Sequence, residues 1–220
     1  MGKLIVIEGI DGSGKSTQFE LMCRRLEAEN KDFFRVIFPR YDKPSSALIK
    51  MYLGGDFGSE PSAVNAYAAS SFYAVDRYAS FKQDWQGYYE NGGLVLTDRY
   101  TTSNAIHHGA KFSPESREHF FKWLFEYESY LLGLPKPDLV LYMSIDAEVA
   151  AERLLQREAK TGKPGDIHET NIAYLKSCVE CANHAADYYG WKTIKCLSGG
   201  RARAESEIHQ DAFDEVMKLF

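Results

Sequence analysis

The sequence predicts an α/β fold, a three-layer sandwich in which a five-stranded parallel sheet is flanked by helices. Three observations predict it. Apolar, β-branched runs alternate with helix-period stretches along the 220 residues, and that alternation builds a parallel sheet covered on both faces. The first apolar run leads into the first helical stretch through a glycine-rich loop of one specific pattern. The chain is 45% hydrophobic and shows no repeat, low-complexity segment or linker, so residues 1–220 read as one domain with a sizeable core.

Residues 3–8, Lys-Leu-Ile-Val-Ile-Glu, carry the continuous apolar character of a buried parallel strand. Gly9 to Ser16 then reads Gly-Ile-Asp-Gly-Ser-Gly-Lys-Ser, which is G-x-x-x-x-G-K-[ST]. Glycines let successive N–H groups curl inward onto anionic oxygens, Lys15 can reach the β- and γ-phosphates, and the Ser16 hydroxyl can ligate Mg²⁺. Over 15–29, Phe19, Met22, Cys23 and Leu26 recur at helical spacing, and that helix aims the positive end of its dipole at the same place. Strand, loop and helix follow in the order phosphate binding requires. The fold is therefore expected to be of P-loop NTPase type, with Gly9, Ile10, Asp11, Gly12, Ser13, Gly14, Lys15, Ser16 and Thr17 around the nucleotide phosphates.

A second strand is expected at 33–38, stopped by Pro39. Arg40 then stands where it can pair bidentately with a phosphate, although a surface arginine would read the same way. Helices are expected at 45–53 and 61–90. In the longer one, Val64, Tyr67, Ala68, Phe72, Val75 and Ala79 form the stripe expected to face the core. Tyr73 and Arg77, four apart, share a neighbouring face. A ring beside a guanidinium suits a nucleobase, but aromatic residues on a helix also serve as packing.

The strand at 94–97 ends in Asp98, which can reach Mg²⁺ directly or through water, or orient an attacking oxygen. Arg99 follows at once; away from a phosphate loop, the pair would read as an ion pair capping a helix. Helices at 101–109 and 114–132, a strand at 138–143 and a helix at 146–160 come next. Arg153 and Arg157 lie on one face of that last helix. They can neutralise charge that develops in phosphoryl transfer, or form a solvated basic face. Residues 160–166, Lys-Thr-Gly-Lys-Pro-Gly-Asp, read as a mobile loop, so a lid is expected at about 153–168. A helix at 168–189, a strand at 192–196 and a helix at 203–219 complete the order. In such sheets ligands bind at the carboxyl ends of the strands.

Net charge is −5, which argues against a general nucleic-acid binder. No apolar run approaches the roughly 18 residues a membrane span needs. The chain opens directly on a strand, so no signal peptide is expected, and the four cysteines point to reduced thiols in a cytoplasm. Cys178 and Cys181 form a lone C-x-x-C with no second ligand pair spaced for zinc, and are expected to pack in the core. A GTP-dependent switch would want N-K-x-D; Asn30-Lys31-Asp32 lacks the spacer.

Several pieces now stand together: GIDGSGKSTQ at 9–18, FPRY at 38–41, FYAVDR at 72–77, TDRYTTSNA at 97–105, PDLVLYMSID at 137–146, and AERLLQRE at 151–158 leading to Asp166-Ile167-His168-Glu169. In order and spacing they resemble the thymidylate kinase family over nearly the whole chain. The resemblance implies transfer of the γ-phosphoryl group of ATP to dTMP, giving dTDP and ADP, with Mg²⁺, commonly in a homodimer. It implies that Asp11 faces the 3′-hydroxyl and the metal, and that Arg40 and Arg99, flanked by Phe38 and Tyr41, clamp the acceptor phosphate. Tyr73 would stack on thymine where the family usually carries phenylalanine, Arg77 would donate to a thymine carbonyl, and Asn104 would meet the polar edge of the base. Gly12, where some members carry arginine, marks the bacterial type, which draws its catalytic arginines from the lid; Arg153 and Arg157 fit that need beside Lys15 and Arg99.

Two further departures follow from the same resemblance. His107 stands where the family usually packs an aromatic residue against the sugar. The lid lacks the arginine often found after Asp166, leaving Lys160, Lys163 or Arg157 to stand in. The segment after Ser198-Gly199-Gly200 is expected near the adenine. The rival reading is a kinase of the same scaffold acting on another nucleoside monophosphate or on a nucleoside. Two acceptor-side arginines favour a monophosphate.

Overall fold

A computed structural model describes residues 1–162 and 172–220, without the side chains of Pro61 and Thr161. Five parallel strands form the central sheet: β1 (Lys3–Glu8), β2 (Phe34–Ile37), β3 (Leu94–Asp98), β4 (Leu139–Ser144) and β5 (Lys192–Lys195), in the order β2-β3-β1-β4-β5. β1 sits between β3 and β4, with Ile7 opposite both Asp98 and Leu141. The carboxyl ends of β1 and β3 therefore open side by side, where the phosphate loop and Asp98 meet.

The helices are α1 (Lys15–Ala28), α2 (Ala47–Leu53), α3 (Ala66–Ser80), α4 (Gln86–Glu90), α5 (Thr101–Gly109), α6 (Pro114–Phe125), α7 (Ala147–Thr161), α8 (Ile172–Tyr189) and α9 (Glu205–Met217). Alternation along β1 makes the sandwich. Ile5 and Ile7 pack with Phe19, Met22, Leu154, Cys178 and Phe213 on one face. Leu4 and Val6 pack with Val36, Phe81, Trp85 and Tyr100 on the other. Side chains of opposite parity point to opposite faces of a strand, so one short run anchors both layers of helices.

The expected helix at 61–90 is interrupted. A single 3₁₀ turn at Pro61–Ala63 precedes Asn65, whose side chain caps α3 by accepting the N–H of Ala68 at 2.9 Å. A π-helical turn at Phe81–Trp85 separates α3 from α4. The expected core stripe is also displaced. Val75 is 53% exposed, while Ala69, Ser70, Ala74, Asp76, Arg77 and Ser80 are buried. Asp76 and Arg77 are buried because each has an opposite charge to meet, and a pattern that counts only apolar residues excludes them from the inward face.

The expected helix at 114–132 likewise ends at Phe125 and continues as a π-helical turn, Glu126–Leu131. A two-stranded antiparallel hairpin, β6 (Leu197–Ser198) and β7 (Arg201–Ala202), was not expected; Gly199 and Gly200 both take positive φ to close it. All four cysteines are free and buried. Cys178 and Cys181 pack within α8, and burial pushes the Cys181 thiol up to about 12. Among the described residues, no helix is long and apolar enough to cross a membrane. Of the expected lid, Lys163 and Asp166 to Glu169 lie outside the described residues.

Candidate active site

Two cavities meet at the phosphate loop. One, of about 510 Å³, is lined by Asp11 to Gln18, by Arg153, Arg157 and Lys160 of α7, and by Cys196, Arg203, Glu205 and Ile208 from the C-terminal part. The other, of about 260 Å³, holds Phe38, Tyr41, Tyr73, Arg77, Asp98, Arg99, Asn104, His107 and His108. Asp11, Lys15, Ser16 and Arg157 line both. A donor and an acceptor placed in the two cavities would face each other across those four residues.

The loop is shaped by its glycines. Gly14 caps α1 with φ 91°. Gly12 has φ 80°, and a Cβ there would stand 2.4 Å from the Ala150 carbonyl oxygen. In this structure a side chain at position 12 requires α7 to withdraw from the loop. The close approach also brings α7 against the loop, where Arg153 Nη1 donates to the carbonyl oxygens of Ser13 at 3.2 Å and Gly12 at 3.4 Å. Gly9 and Ile10 stand behind the cavity rather than in it. Ile10 is in the core, and the Gly9 N–H donates to Glu8 at 2.9 Å.

Between the cavities the charges are tightly coupled. Lys15 Nζ donates to Asp11 at 3.0 Å, and Arg99 pairs with the same carboxylate oxygen. Burial pushes the Asp11 carboxyl up, but Arg99 and Lys15 together hold it well below the usual carboxylate range. Burial opposes the charge on Arg99, yet Asp11, Glu8 and Asp98 keep it firmly cationic. Arg99 has φ 67°, an unusual value for a non-glycine residue. Its N–H is tied to Ile7 O at 3.1 Å and its own carbonyl accepts the Thr97 hydroxyl at 2.7 Å. Strained backbone held from both sides is characteristic of functional positions.

Ser16 Oγ donates to Asp98 Oδ2 at 2.8 Å. Asp98 Oδ1 is buried with no hydrogen-bond partner. A hydroxyl, one carboxylate and an unsatisfied buried oxygen beside a phosphate loop suit Mg²⁺, which keeps several waters and takes few protein ligands. Among the described residues there is no cluster of three or more His, Cys, Asp or Glu side chains that could cage a metal on their own.

The smaller cavity departs from expectation at Arg40. Its guanidinium is not among the lining groups. Nε donates to Asp76 at 3.4 Å, Nη1 pairs with Asp84 and Nη2 donates to Ser45 at 3.2 Å. The buried carboxylate of Asp76 captures it, and the turn it stabilises presents Phe38 and Tyr41 to the cavity instead. Arg77 and Asn104 do line the cavity, both fully buried. Tyr73 lines it too, its ring 5.6 Å from that of His108. His107 Nε2 accepts from Arg99 Nη1 at 3.2 Å, so this residue touches the cation expected at the phosphate.

Sequence reasoning missed several groups. Glu8, fully buried at the end of β1, accepts from Thr102 at 2.6 Å and Ser103 at 2.8 Å, tying β1 to the first turn of α5. A carboxylate closing an otherwise apolar strand was its only signal. Glu128, which binds Arg77 and Asn104, had none, because its partners are distant in sequence. Arg203 borders the larger cavity after the unexpected hairpin.

Comparison with known proteins shows the family. The family model described as thymidylate kinase matches residues 7–205. A thymidylate kinase of Mycobacterium tuberculosis is 34% identical over 168 residues, 76% of this chain and 77% of that protein. One from Halothermothrix orenii is 28% identical over 98% of this chain and 96% of its own. The solved structure of a thymidylate kinase from Candida albicans superposes with a TM-score of 0.73 at 22% identity, covering 99% of this chain and 92% of that one.

Proposed function

Because the chain belongs to the thymidylate kinase family, and so transfers a phosphoryl group from ATP to dTMP, we propose that the two cavities are its ATP and dTMP sites and that the residues between them carry the transfer. The observation that carries this reading is the sharing of Asp11, Lys15, Ser16 and Arg157 by both cavities.

The chemistry needs two anions brought together more than it needs a covalent partner. The acceptor oxygen already bears charge, so no strong general base is required. Lys15 meets the donor phosphates. Arg99, with Tyr41 beside it, meets the acceptor phosphate, and its pairing with Asp11 aims the guanidinium across the gap. Arg157 stands at the junction, where charge develops on the group in flight. Arg153 braces the loop through its carbonyls. Arg40 is a positioning residue for Phe38 and Tyr41.

Ser16 and Asp98 would hold Mg²⁺, which when bound supplies charge neutralisation on the donor phosphates. On the base side, the two Nδ2 protons of Asn104 go to Ser70 O and Glu128, which leaves Oδ1 to accept from a ring N–H. Arg77 uses three of its five donors on Glu128 and Tyr100 O, which leaves others for a carbonyl. Tyr73 supplies the stacking plane. Residues 1–220 act as one domain, and the part of the expected lid that lies on α7 brings Arg153, Arg157 and Lys160 to the ATP cavity. A homodimer, which rests on the resemblance, and a cytoplasmic location, which rests on the four cysteines, complete the proposal.

Lys15→Ala tests this reading. Loss of a preorganised cation costs about 10²–10³ in kcat, while the thermal melt stays near that of the wild type because Asp11 keeps Arg99. Near wild-type turnover would refute the assignment of the loop.

A further inference from the structure

Glu128 was not expected in the site, yet the polar wall of the acceptor cavity is built on it. It lies in the π-helical turn after α6 with no exposed side-chain surface. Its Oε2 accepts from Arg77 Nε at 2.7 Å, and its Oε1 accepts from Arg77 Nη2 at 2.6 Å and from Asn104 Nδ2 at 3.0 Å. Asn104 Nδ2 also donates to Ser70 O at 3.1 Å. A carboxylate and a backbone carbonyl can only accept. Turning the Asn104 amide over would set its Oδ1 against both of them in a buried site, where an unmade hydrogen bond costs most. The amide therefore has one orientation as long as position 128 carries a carboxylate.

We propose that Glu128 is a specificity-determining positioning residue: by fixing Asn104 as an acceptor beside Arg77 as a donor, it selects a pyrimidine whose ring N–H adjoins a carbonyl and rejects cytosine. Cytosine offers the opposite pattern, a ring nitrogen that accepts beside an amino group that donates. Thymine and uracil match the wall; cytosine meets acceptor with acceptor opposite Asn104 and donor with donor opposite Arg77. A glutamine at 128 weakens the constraint: its amide nitrogen can donate to Asn104 Oδ1, at the expense of the bond that Oε1 accepts from Arg77 Nη2, and only Ser70 O then opposes the turn. With one opposing acceptor in place of two, the Asn104 amide can turn and offer Nδ2 to cytosine. The proposal rests on the reading that Arg77 and Asn104 face the base.

The test measures kcat/KM for dTMP and dCMP in wild type, Glu128→Gln and Asn104→Ala, with KM for ATP alongside. In Glu128→Gln the dTMP-to-dCMP preference falls by at least about tenfold, one hydrogen-bond exchange in a buried site. The fall comes through KM of the acceptors, and KM for ATP stays put. An unchanged preference in Glu128→Gln, with a raised dTMP KM in Asn104→Ala, overturns the proposal and leaves the base-facing reading standing. An unchanged dTMP KM in Asn104→Ala overturns both.

If Glu128→Gln does not fold, the wild-type protein still decides. The two Nδ2 protons of Asn104, assigned by NMR, stay protected from solvent exchange and keep their shifts when dTMP binds, since their partners remain Glu128 and Ser70. A large dTMP-dependent shift of either proton would mean that the base meets Nδ2, and would overturn the proposal.

Discussion

Arg99 and Asp11 are ion-paired across the gap between the end of β3 and the phosphate loop. Each comes from a segment adjoining one of two neighbouring strand ends, so the parallel register of β1 and β3 sets their separation. Lys15 completes the group from the other side of the same carboxylate. The shared carboxylate keeps two cations ready on opposite sides of the junction.

This pairing has a consequence for acid stability. The Asp11 carboxyl is held well below its ordinary 3.8 in the folded protein. As pH falls, the unfolded chain takes up the proton first, so the contribution of Asp11 is complete above about 3.8 and is lost as pH drops toward the folded value. Arg99→Gln removes the strongest influence that lowers this value. The midpoint of acid unfolding, followed by far-UV circular dichroism, is expected to move to higher pH. An unmoved midpoint would show that the pair does not contribute.

The unpartnered Asp98 Oδ1 predicts a metal dependence. Asp98→Asn is expected to raise the Mg²⁺ concentration for half-maximal rate by about 10–100-fold. Initial rates across a Mg²⁺ titration at saturating nucleotides read this directly. An unchanged requirement would remove Asp98 from the metal.

At Gly12, both backbone and space oppose a side chain. Gly12→Ala is expected to cost about 1–3 kcal/mol of stability and to raise KM for ATP, because α7 must withdraw and carry Arg153 with it. A thermal melt and an ATP titration check the two parts. A melt equal to wild type would show that the loop accommodates the methyl group without strain.

Much of this was legible in the sequence for a physical reason. Parallel strands buried on both faces are continuous apolar runs, so β1, β3 and β4 stood out at nearly their full extent, and the phosphate loop announced itself by its glycine spacing before Lys15 and Ser16. What stayed hidden depends on partners brought together only by folding. Asp76 and Arg77 are charged and buried, which shifted the expected core stripe of α3. Arg40 follows a strand end where a phosphate contact is plausible, but Asp76 on a distant helix takes its guanidinium. Glu128 carries no local signal at all, though it orders the two groups expected at the base. The hairpin of β6 and β7 is too short to show a period.

The most direct test of the account is acceptor-dependent ADP release with ATP and Mg²⁺, measured with dTMP, dUMP, dCMP, dGMP, dAMP, UMP and thymidine. The account predicts a strong preference for dTMP, weak use of dCMP and no turnover of thymidine. Turnover of thymidine but not of dTMP would contradict it, because Arg99 would then have no acceptor phosphate to hold.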